Sequence, residues 1–324
     1  MRVLVAGATG AVGRPLVRKL VRAGHTVIGM TRIPEKAKTI GSFGAEAVVA
    51  DGLDLDSVRA AVRSSRPDAI VHEMTDLAGV SDLRRFDAMF ASTNRLRSVG
   101  IDHLLAAGRE AGVKRLVAQS FCGWPYARLG GHVKSEADPL DPDPPRELRR
   151  TLHAIRHLEG AVTGSEAPEG IVLRYGTFYG PNTGMFDASF IRQLRSRRVP
   201  LIGTGNGWWS FIHVDDAADA TVAALEKGSP GTYNIVDDDP APVHDWLPAL
   251  AVMLGAKPLL HVPAWIARVL GGEHLVTMMT EVRAGSNAKA RRELGWAPRR
   301  RSWRQGFSEI VELLPGHQHI EKAA

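Results

Sequence analysis

Three glycines near the start of the chain have the spacing of a phosphate-binding turn. Gly7, Gly10 and Gly13 follow an apolar run at residues 2–6, and apolar residues then repeat at helical spacing over 16–21. A strand, a glycine turn and a helix in this order let the backbone approach a pyrophosphate, and the amides at the helix start carry partial positive charge. The alternative is a glycine turn without a ligand. We predict a dinucleotide-binding cradle formed by Gly7, Thr9, Gly10, Ala11, Val12 and Gly13.

The end of the second apolar run bears on which dinucleotide is held. An NAD site usually has an acidic residue about twenty residues beyond the glycines, where it accepts a hydrogen bond from the ribose 2′-hydroxyl. Arg32 stands at that position, and the next acid along the chain is Glu35. A guanidinium there pairs with a 2′-phosphate, and Lys36 adds a second positive charge. We therefore predict NADP as the cofactor; the alternative is a surface arginine beside an NAD site.

Strand-like apolar runs alternate with helix-forming stretches along most of the chain. The predicted strands cover residues 2–6, 25–32, 45–51, 69–74, 115–120, 171–176 and 232–236. Longer helical stretches are predicted at 55–62, 83–111 and 146–162. Strands that alternate with helices imply parallel pairing with right-handed crossovers. We therefore predict an α/β fold built on a doubly wound parallel sheet.

Composition narrows the class of protein. The 324 residues are 44% hydrophobic and 23% charged, which is typical of globular proteins, and the net charge of +6 comes from scattered arginines without interleaved aromatics. We expect no nucleic-acid binding. Cys122 is the only cysteine, and we interpret His213, Asp215 and Asp216 as packing and helix-capping groups, so no metal is expected. The early first strand and the lack of a membrane-length apolar run lead us to expect a cytoplasmic protein without membrane contact.

Three segments resemble one known superfamily. They are GATGAVG at residues 7–13, LRYGTFYGP at 173–181 and FIHVDD at 211–216. Together they resemble the extended and atypical short-chain dehydrogenases/reductases, in particular the NAD(P)-dependent epimerase/dehydratase-like members. The resemblance implies a Rossmann-type dinucleotide domain, a smaller C-terminal substrate-binding lobe and a homodimer. The implied bounds are 1–176 and 209–237 for the first domain, and 177–208 and 238–324 for the lobe.

The resemblance also assigns residues to the two ligands. In that superfamily an acid after the third strand contacts the adenine, small residues after the fourth lie under the cofactor, and the segment after the sixth passes the nicotinamide. The further cofactor residues implied here are Asp51, Gly52, Met74, Thr75, Ser120, Tyr175, Gly176, Thr177 and Phe178. The residues expected to line the cleft for a small-molecule substrate are Trp124, Asn182, Trp208 and Trp209.

The acid/base pair of the resembled superfamily is missing. That pair is Tyr-x-x-x-Lys, in which the lysine lowers the pKa of the tyrosine. None of the four tyrosines has a lysine four positions later, and the resemblance places Thr151 and Ile155 at the two positions. We therefore expect Ser120 to orient a substrate carbonyl and Tyr126 to act as the replacement acid/base, with Tyr175 as the second candidate.

Three functions remain open from the sequence. The favoured one is an NADP(H)-dependent oxidoreductase of atypical extended type, acting on a carbonyl or hydroxyl of a small polar metabolite. The second is a redox-neutral epimerase or dehydratase that acts on a sugar-nucleotide-like substrate with a tightly held NAD(P). The third is a protein that senses dinucleotides and catalyses nothing.

Overall fold

The computed structural model describes residues 1–76 and 86–314. Its centre is a seven-stranded parallel sheet with the order β3-β2-β1-β4-β5-β7-β12. These strands are β1 Arg2–Ala6, β2 Thr26–Thr31, β3 Glu46–Val49, β4 Ala69–His72, β5 Arg115–Phe121, β7 Glu169–Tyr175 and β12 Gly231–Ile235. After β3 the chain crosses back and continues with β4 on the other side of β1, which leaves a crevice at the carboxyl ends of these strands. The predicted Rossmann-type fold is confirmed.

Helices cover both faces of the sheet, which is why its strands are apolar along most of their length. One face packs against α1 Gly13–Arg22 and α9 Val214–Lys227. The other packs against α3 Leu55–Ser65, α6 Ile101–Glu110 and α7 Arg149–Thr163. Successive side chains of a strand therefore enter different helix layers, and this alternation decides which residues of β5 reach the crevice.

The remaining elements are short. The other helices are α2 Ala37–Gly41, α4 Phe86–Met89, α5 Ala91–Arg95, α8 Ala188–Arg195, α10 Val243–Met253, α11 Ala264–Gly271, α12 Glu273–Thr280, α13 Ala288–Leu294 and α14 Trp303–Glu312. Four two-stranded sheets are formed by β6 Val133–Lys134, β8 Thr177–Tyr179, β9 Leu201–Ile202, β10 Trp208–Trp209, β11 Phe211–His213, β13 Ala241–Pro242, β14 His261–Val262 and β15 Ala284–Gly285. Over the described ranges, no helix has the length and apolar character needed to cross a membrane.

The long helical region predicted over residues 83–111 is helical over nearly all of its described part, but it is not one continuous helix. Its first three residues lie outside the described residues, and the rest is divided into α4, α5, a π-helical turn at Leu96–Gly100 and α6. The π-helical turn interrupts the regular hydrogen-bond pattern, as such turns often do near functional sites. Here it brings Leu96 to the wall of the crevice.

A second aromatic core lies away from the central sheet. Tyr179, Phe211, Trp246, Trp303 and Phe307 form its centre, and α10 and α14 pack around it. It joins residues from the 177–211 segment to residues from the C-terminal part of the chain. The division into a dinucleotide domain and a substrate lobe at the bounds given above stays a prediction.

Candidate cofactor and substrate site

A cleft of about 540 Å³ opens at the carboxyl ends of the central strands. Most of the residues assigned to the cofactor line it. Those that do are Gly7, Thr9, Gly10, Ala11, Val12, Arg32, Lys36, Asp51, Gly52, Met74, Thr75, Thr177 and Phe178, together with Asn182 from the substrate set. Gly13, Ser120, Tyr175 and Gly176 are not among its lining residues.

The glycine turn is packed so tightly that side chains are excluded from two of its positions. Gly7 has a φ of +96°, and a Cβ there would lie 2.5 Å from the carbonyl oxygen of Glu73. At Gly13 an added Cβ would lie 2.2 Å from the carbonyl oxygen of Gly7. Gly13 therefore serves the cleft by letting α1 begin directly against the turn.

The turn offers its amides to a ligand. The amides of Ala11 and Val12 have no acceptor among the hydrogen bonds of residues 1–76 and 86–314. The first turn of α1 contains no acidic residue, and Arg14 from that turn lines the cleft. Free amides at a helix start and a nearby cation suit an anion, so the turn fits the pyrophosphate of a dinucleotide.

The far end of the cleft carries the positive charge that the sequence predicted. Arg32 and Lys36 both line it, and the Arg32 side chain is 55% exposed. The Arg32 guanidinium lies 3.4 Å from the Asp76 carboxylate, which also accepts a hydrogen bond from Ser92 at 2.9 Å. An exposed guanidinium paired with one carboxylate keeps donors available for a second anion.

Strand β5 presents different residues to the cleft from the one expected. Gln119 and Phe121 line it, whereas Ser120 lies on the opposite face of the strand. The Ser120 hydroxyl donates to Glu159 Oε1 at 2.7 Å and is buried between the sheet and α7. The expectation that Ser120 orients a substrate has no support in this geometry, because side chains alternate along a strand. The same alternation along β5 could have been used to predict that Gln119 and Phe121 line the cleft.

Tyr126 belongs to a buried polar network behind the sheet. Arg174 donates to both carboxylate oxygens of Glu159, at 2.8 and 2.6 Å, and to the Tyr126 hydroxyl at 3.0 Å. The Tyr126 hydroxyl donates to Asn234 at 2.7 Å. Burial raises the pKa of Tyr126 well above its ordinary value. Tyr126 is therefore part of a buried hydrogen-bond network and does not reach the cleft.

No tyrosine phenol lines the cleft. All four tyrosines of the chain are fully buried, and none lines the cleft, which includes the second candidate Tyr175. At the positions of the missing pair, Ile155 is buried and the Thr151 hydroxyl donates to Asp87 at 2.6 Å. The described residues of the cleft wall include the amides and hydroxyls of Gln119, Thr177, Asn182 and Thr183.

A small apolar pocket adjoins the cleft and contains three of the four expected substrate residues. It shares Phe121 and Thr177 with the cleft. The remaining lining residues are Cys122, Gly123, Trp124, Trp208, Trp209, Ser210, Met278 and Val282, none of them charged. The Trp209 indole is fixed by a hydrogen bond from Nε1 to the Met278 carbonyl at 2.9 Å. The pocket is therefore an apolar extension of the cleft, with an open volume of only about 30 Å³ in this structure.

The His213–Asp216 segment is structural. His213 is the N-cap residue of α9 and accepts a hydrogen bond from the Asp215 amide at 3.1 Å. Asp216 accepts from the amides of Arg299 and Arg300. The cap of α9 is thus His213 and neither of the two aspartates. Across the described residues there is no group of three or more histidine, cysteine or acidic side chains that could hold a metal.

Replacing Tyr126 by phenylalanine tests whether this phenol takes part in chemistry. We expect turnover to stay within about twofold, because the hydroxyl faces Arg174 and Asn234 rather than the cleft. The lost hydrogen bonds should reduce the free energy of unfolding by about 1–3 kcal/mol. Steady-state kinetics and urea unfolding check the two parts, and a large loss of kcat in a stably folded variant would return Tyr126 to the mechanism.

Comparisons with known proteins identify the family of this chain. The family model described as NAD dependent epimerase/dehydratase family matches residues 3–236. A Streptomyces 3-diazoavenalumate denitrifying reductase is 43% identical over 311 residues, which cover 95% of this chain and 99% of that protein. UDP-glucose 4-epimerase from Mycolicibacterium smegmatis is 27% identical, with 97% and 98% covered.

Solved structures show the same fold. UDP-glucose 4-epimerase from Thermotoga maritima, with UDP-glucose, has a TM-score of 0.76 at 21% identity and covers 96% of this chain and 98% of that one. The Thermus thermophilus UDP-glucose 4-epimerase in complex with NAD has a TM-score of 0.73 at 22% identity, with both chains fully covered. The family match extends over most of the chain and includes the glycine turn and the central strands. This protein belongs to the NAD dependent epimerase/dehydratase family.

Proposed function

We propose that this protein is an NADPH-dependent reductase that replaces a diazo group of an aromatic substrate by hydrogen and releases N₂. The observation that carries the proposal is the lack of a tyrosine phenol in the wall of the cleft, where Phe121 is a lining residue and all four tyrosines are buried elsewhere. A reaction suited to such a site needs a hydride but no proton from the protein.

The two reaction classes differ in this requirement. Reduction of a carbonyl needs a hydride at carbon and a proton at oxygen, and positioned acids accelerate such steps about 10²–10⁴-fold. Reduction of a diazonium carbon breaks the C–N bond, forms a C–H bond and releases N₂ without a proton. A reduced nicotinamide, when bound, supplies the hydride and its two electrons. The diazo-denitrifying reductase at 43% identity supports this choice.

The apolar pocket indicates what kind of substrate would bind. Its walls include Phe121, Trp124, Trp209 and Met278, and no charged side chain lines it. The pocket holds only about 30 Å³, so an aromatic ring would lie in the larger cleft against the shared residues Phe121 and Thr177. Apolar and aromatic walls suit such a ring, whereas the diphosphate of a sugar nucleotide needs cations or exposed amides. Gln119, Thr177 and Asn182 are left to orient polar groups of the ligands.

The preference for NADP over NAD is part of the proposal and has its own test. Arg32→Ala should weaken NADP binding about 10–100-fold, since a charge-assisted contact contributes about 1.5–3 kcal/mol, and should leave NAD binding within about twofold. Lys38→Ala is the control, because Lys38 is exposed and does not line the cleft. Titration calorimetry with both dinucleotides measures this, and equal losses for NADP and NAD would refute the assignment of Arg32.

A substrate panel tests the reaction class. The purified protein with NADPH should consume 3-diazoavenalumate or a simple arenediazonium faster than an enzyme-free control, and should leave aldehydes and ketones unreduced. Turnover of a sugar nucleotide without net NADPH consumption would instead support the epimerase or dehydratase alternative. Dinucleotide binding without turnover of any substrate would support the sensor.

A further inference from the structure

Glu73 is a buried carboxyl in the wall of the dinucleotide cleft. It directly follows β4 and is 4% exposed, and its carbonyl oxygen lies against Gly7 of the glycine turn. Oε2 is buried without a hydrogen-bond partner in the described part of the chain, and no described lysine, arginine or histidine forms an ion pair with the carboxyl. Burying a charged carboxylate without a cation is costly in free energy, so the state and role of this carboxyl need an explanation.

Three short contacts connect this carboxyl to the backbone of α9. Tyr175 Oη lies 3.0 Å from Glu73 Oε1 and 2.6 Å from Thr221 Oγ1, and Thr221 Oγ1 lies 2.8 Å from the Ala217 carbonyl oxygen. A carbonyl only accepts, so Thr221 donates to it and Tyr175 donates to Thr221. Both hydroxyl protons are then used. Tyr175 can instead donate to Glu73 Oε1, but the 2.6 Å contact with Thr221 then lacks a proton; a protonated Glu73 supplies the third proton and satisfies all three contacts.

Burial also favours the protonated form of Glu73. It raises the pKa of Glu73 to about 8, because the charged carboxylate would lose its hydration without gaining a cation. With the proton directed from Oε1 to Tyr175, Oε2 remains a buried acceptor. Because Oε2 is closed off from solvent, Glu73 would act on a bound dinucleotide through its charge and not through a direct hydrogen bond.

We propose that Glu73 is part of the dinucleotide site as a neutral carboxylic acid, and that loss of its proton weakens dinucleotide binding. The ionised form places a negative charge beside the turn that holds the pyrophosphate, and like charges in a partly desolvated site repel. The inference rests on the dinucleotide site of the proposed function. It adds a residue that the glycine pattern does not include, and it makes binding sensitive to alkaline pH.

Few other groups near the cleft change charge in the relevant pH range. Among residues 1–76 and 86–314, the other charged side chains that line the cleft are Arg14, Arg32, Lys36, Asp51 and Asp76. Side chains of these types ordinarily keep their charge between pH 7 and 9, as does a 2′-phosphate. Burial raises the pKa of Tyr175 on β7 well above its ordinary value, and Thr221 on α9 does not titrate. A change in affinity between pH 7 and 9 therefore reports on Glu73.

Titration calorimetry with NADP between pH 7 and 9 tests this role without measuring activity. For the unmodified protein the dissociation constant should rise roughly tenfold from pH 7 to pH 9, as a group with a pKa of about 8 ionises. Glu73→Gln keeps the shape and cannot ionise, so its profile should be flat. Asp56→Asn, a change at a side chain that is 93% exposed on α3, should keep the original profile.

A second variant tests the hydrogen-bond chain without altering Glu73. Thr221→Val removes the hydroxyl that accepts from Tyr175, so the freed Tyr175 proton can donate to Glu73 and stabilise its carboxylate. Binding should then begin to weaken at a lower pH than in the unmodified protein. Identical pH profiles for the unmodified protein and Glu73→Gln, or a Thr221→Val profile that does not move, would overturn the role of Glu73. If neither NADP nor NAD binds at pH 7, this inference and the proposed function both fail.

Discussion

Gly13→Ala is expected to weaken NADP binding by about 5- to 150-fold, because making room for the extra carbon in the turn costs about 1–3 kcal/mol. The added Cβ would lie 2.2 Å from the Gly7 carbonyl oxygen and 2.9 Å from the Ala8 carbonyl carbon. These are backbone atoms of the turn itself, so the turn has to move to make room. Its amides would then leave the positions that suit a pyrophosphate.

The control for this prediction is another glycine-to-alanine change in a helix. Gly160 lies in α7, and a Cβ there meets no atom within 4 Å. Gly160→Ala should keep NADP affinity within about twofold and should stabilise the fold by about 0.5–1 kcal/mol, since glycine is unfavourable inside a helix. Titration calorimetry measures both variants. Normal NADP affinity in Gly13→Ala would mean that the turn is not the phosphate cradle.

Glu159→Gln is expected to destabilise the fold by about 3–5 kcal/mol, the range seen when one partner of a buried ion pair is removed. Glu159 and Arg174 are joined by two hydrogen bonds, and their side chains are only 9% and 8% exposed. The neutral amide leaves the Arg174 guanidinium buried without a counter-charge. Arg97 is also buried, and burial lowers the pKa of its guanidinium. Glu159 is the carboxylate that opposes this decrease.

The chain contains a matched pair that should behave differently. Arg59 and Glu110 are in contact at 2.6 Å, but their side chains are 35% and 48% exposed. Glu110→Gln should cost no more than about 1 kcal/mol, because water replaces the lost partner of an exposed pair. Urea unfolding followed by circular dichroism compares the two variants. A similar small loss in both would mean that the network around Tyr126 and Ser120 is not needed for the fold.

The parts of the site that could be predicted from the sequence depend on short-range patterns. The glycine turn is local, since Gly7, Gly10 and Gly13 lie within one strand–turn–helix unit whose geometry leaves no room for side chains. Arg32 was found because the length of a helix and a strand fixes its distance from the turn. The parallel, doubly wound sheet followed from the alternation of apolar runs with helical stretches, whereas the order of its strands was not predicted.

The errors concern side-chain direction and burial, which depend on distant parts of the chain. A shift of one residue on β5 moves a side chain to the other face of the sheet, so Ser120 was expected where Gln119 and Phe121 lie. Tyr126 is separated from Arg174 by 48 residues and from Asn234 by 108, and only the folded chain shows that these residues enclose its hydroxyl. Sequence spacing carries no such information.

The charge state of Glu73 also could not be predicted from the sequence. The sequence reveals an acid after β4, where small residues are usual in the resembled superfamily, but not whether that acid is charged. Its state depends on Tyr175 and Thr221, which come from a strand and a helix more than 100 residues further along the chain. The missing Tyr-x-x-x-Lys pair, in contrast, could be read directly, and it proved to be the observation on which the proposed reaction depends.

The most direct test of that reaction is a stoichiometric measurement. The protein should be incubated with NADPH and 3-diazoavenalumate, with N₂ followed by mass spectrometry and NADPH by absorbance, against an enzyme-free control and the Gly13→Ala variant. The account predicts one N₂ released for each NADPH oxidised, at a rate well above both controls. Oxidation of NADPH by aldehydes or ketones but not by the diazo compound, or loss of the diazo compound without matching NADPH oxidation, would contradict it.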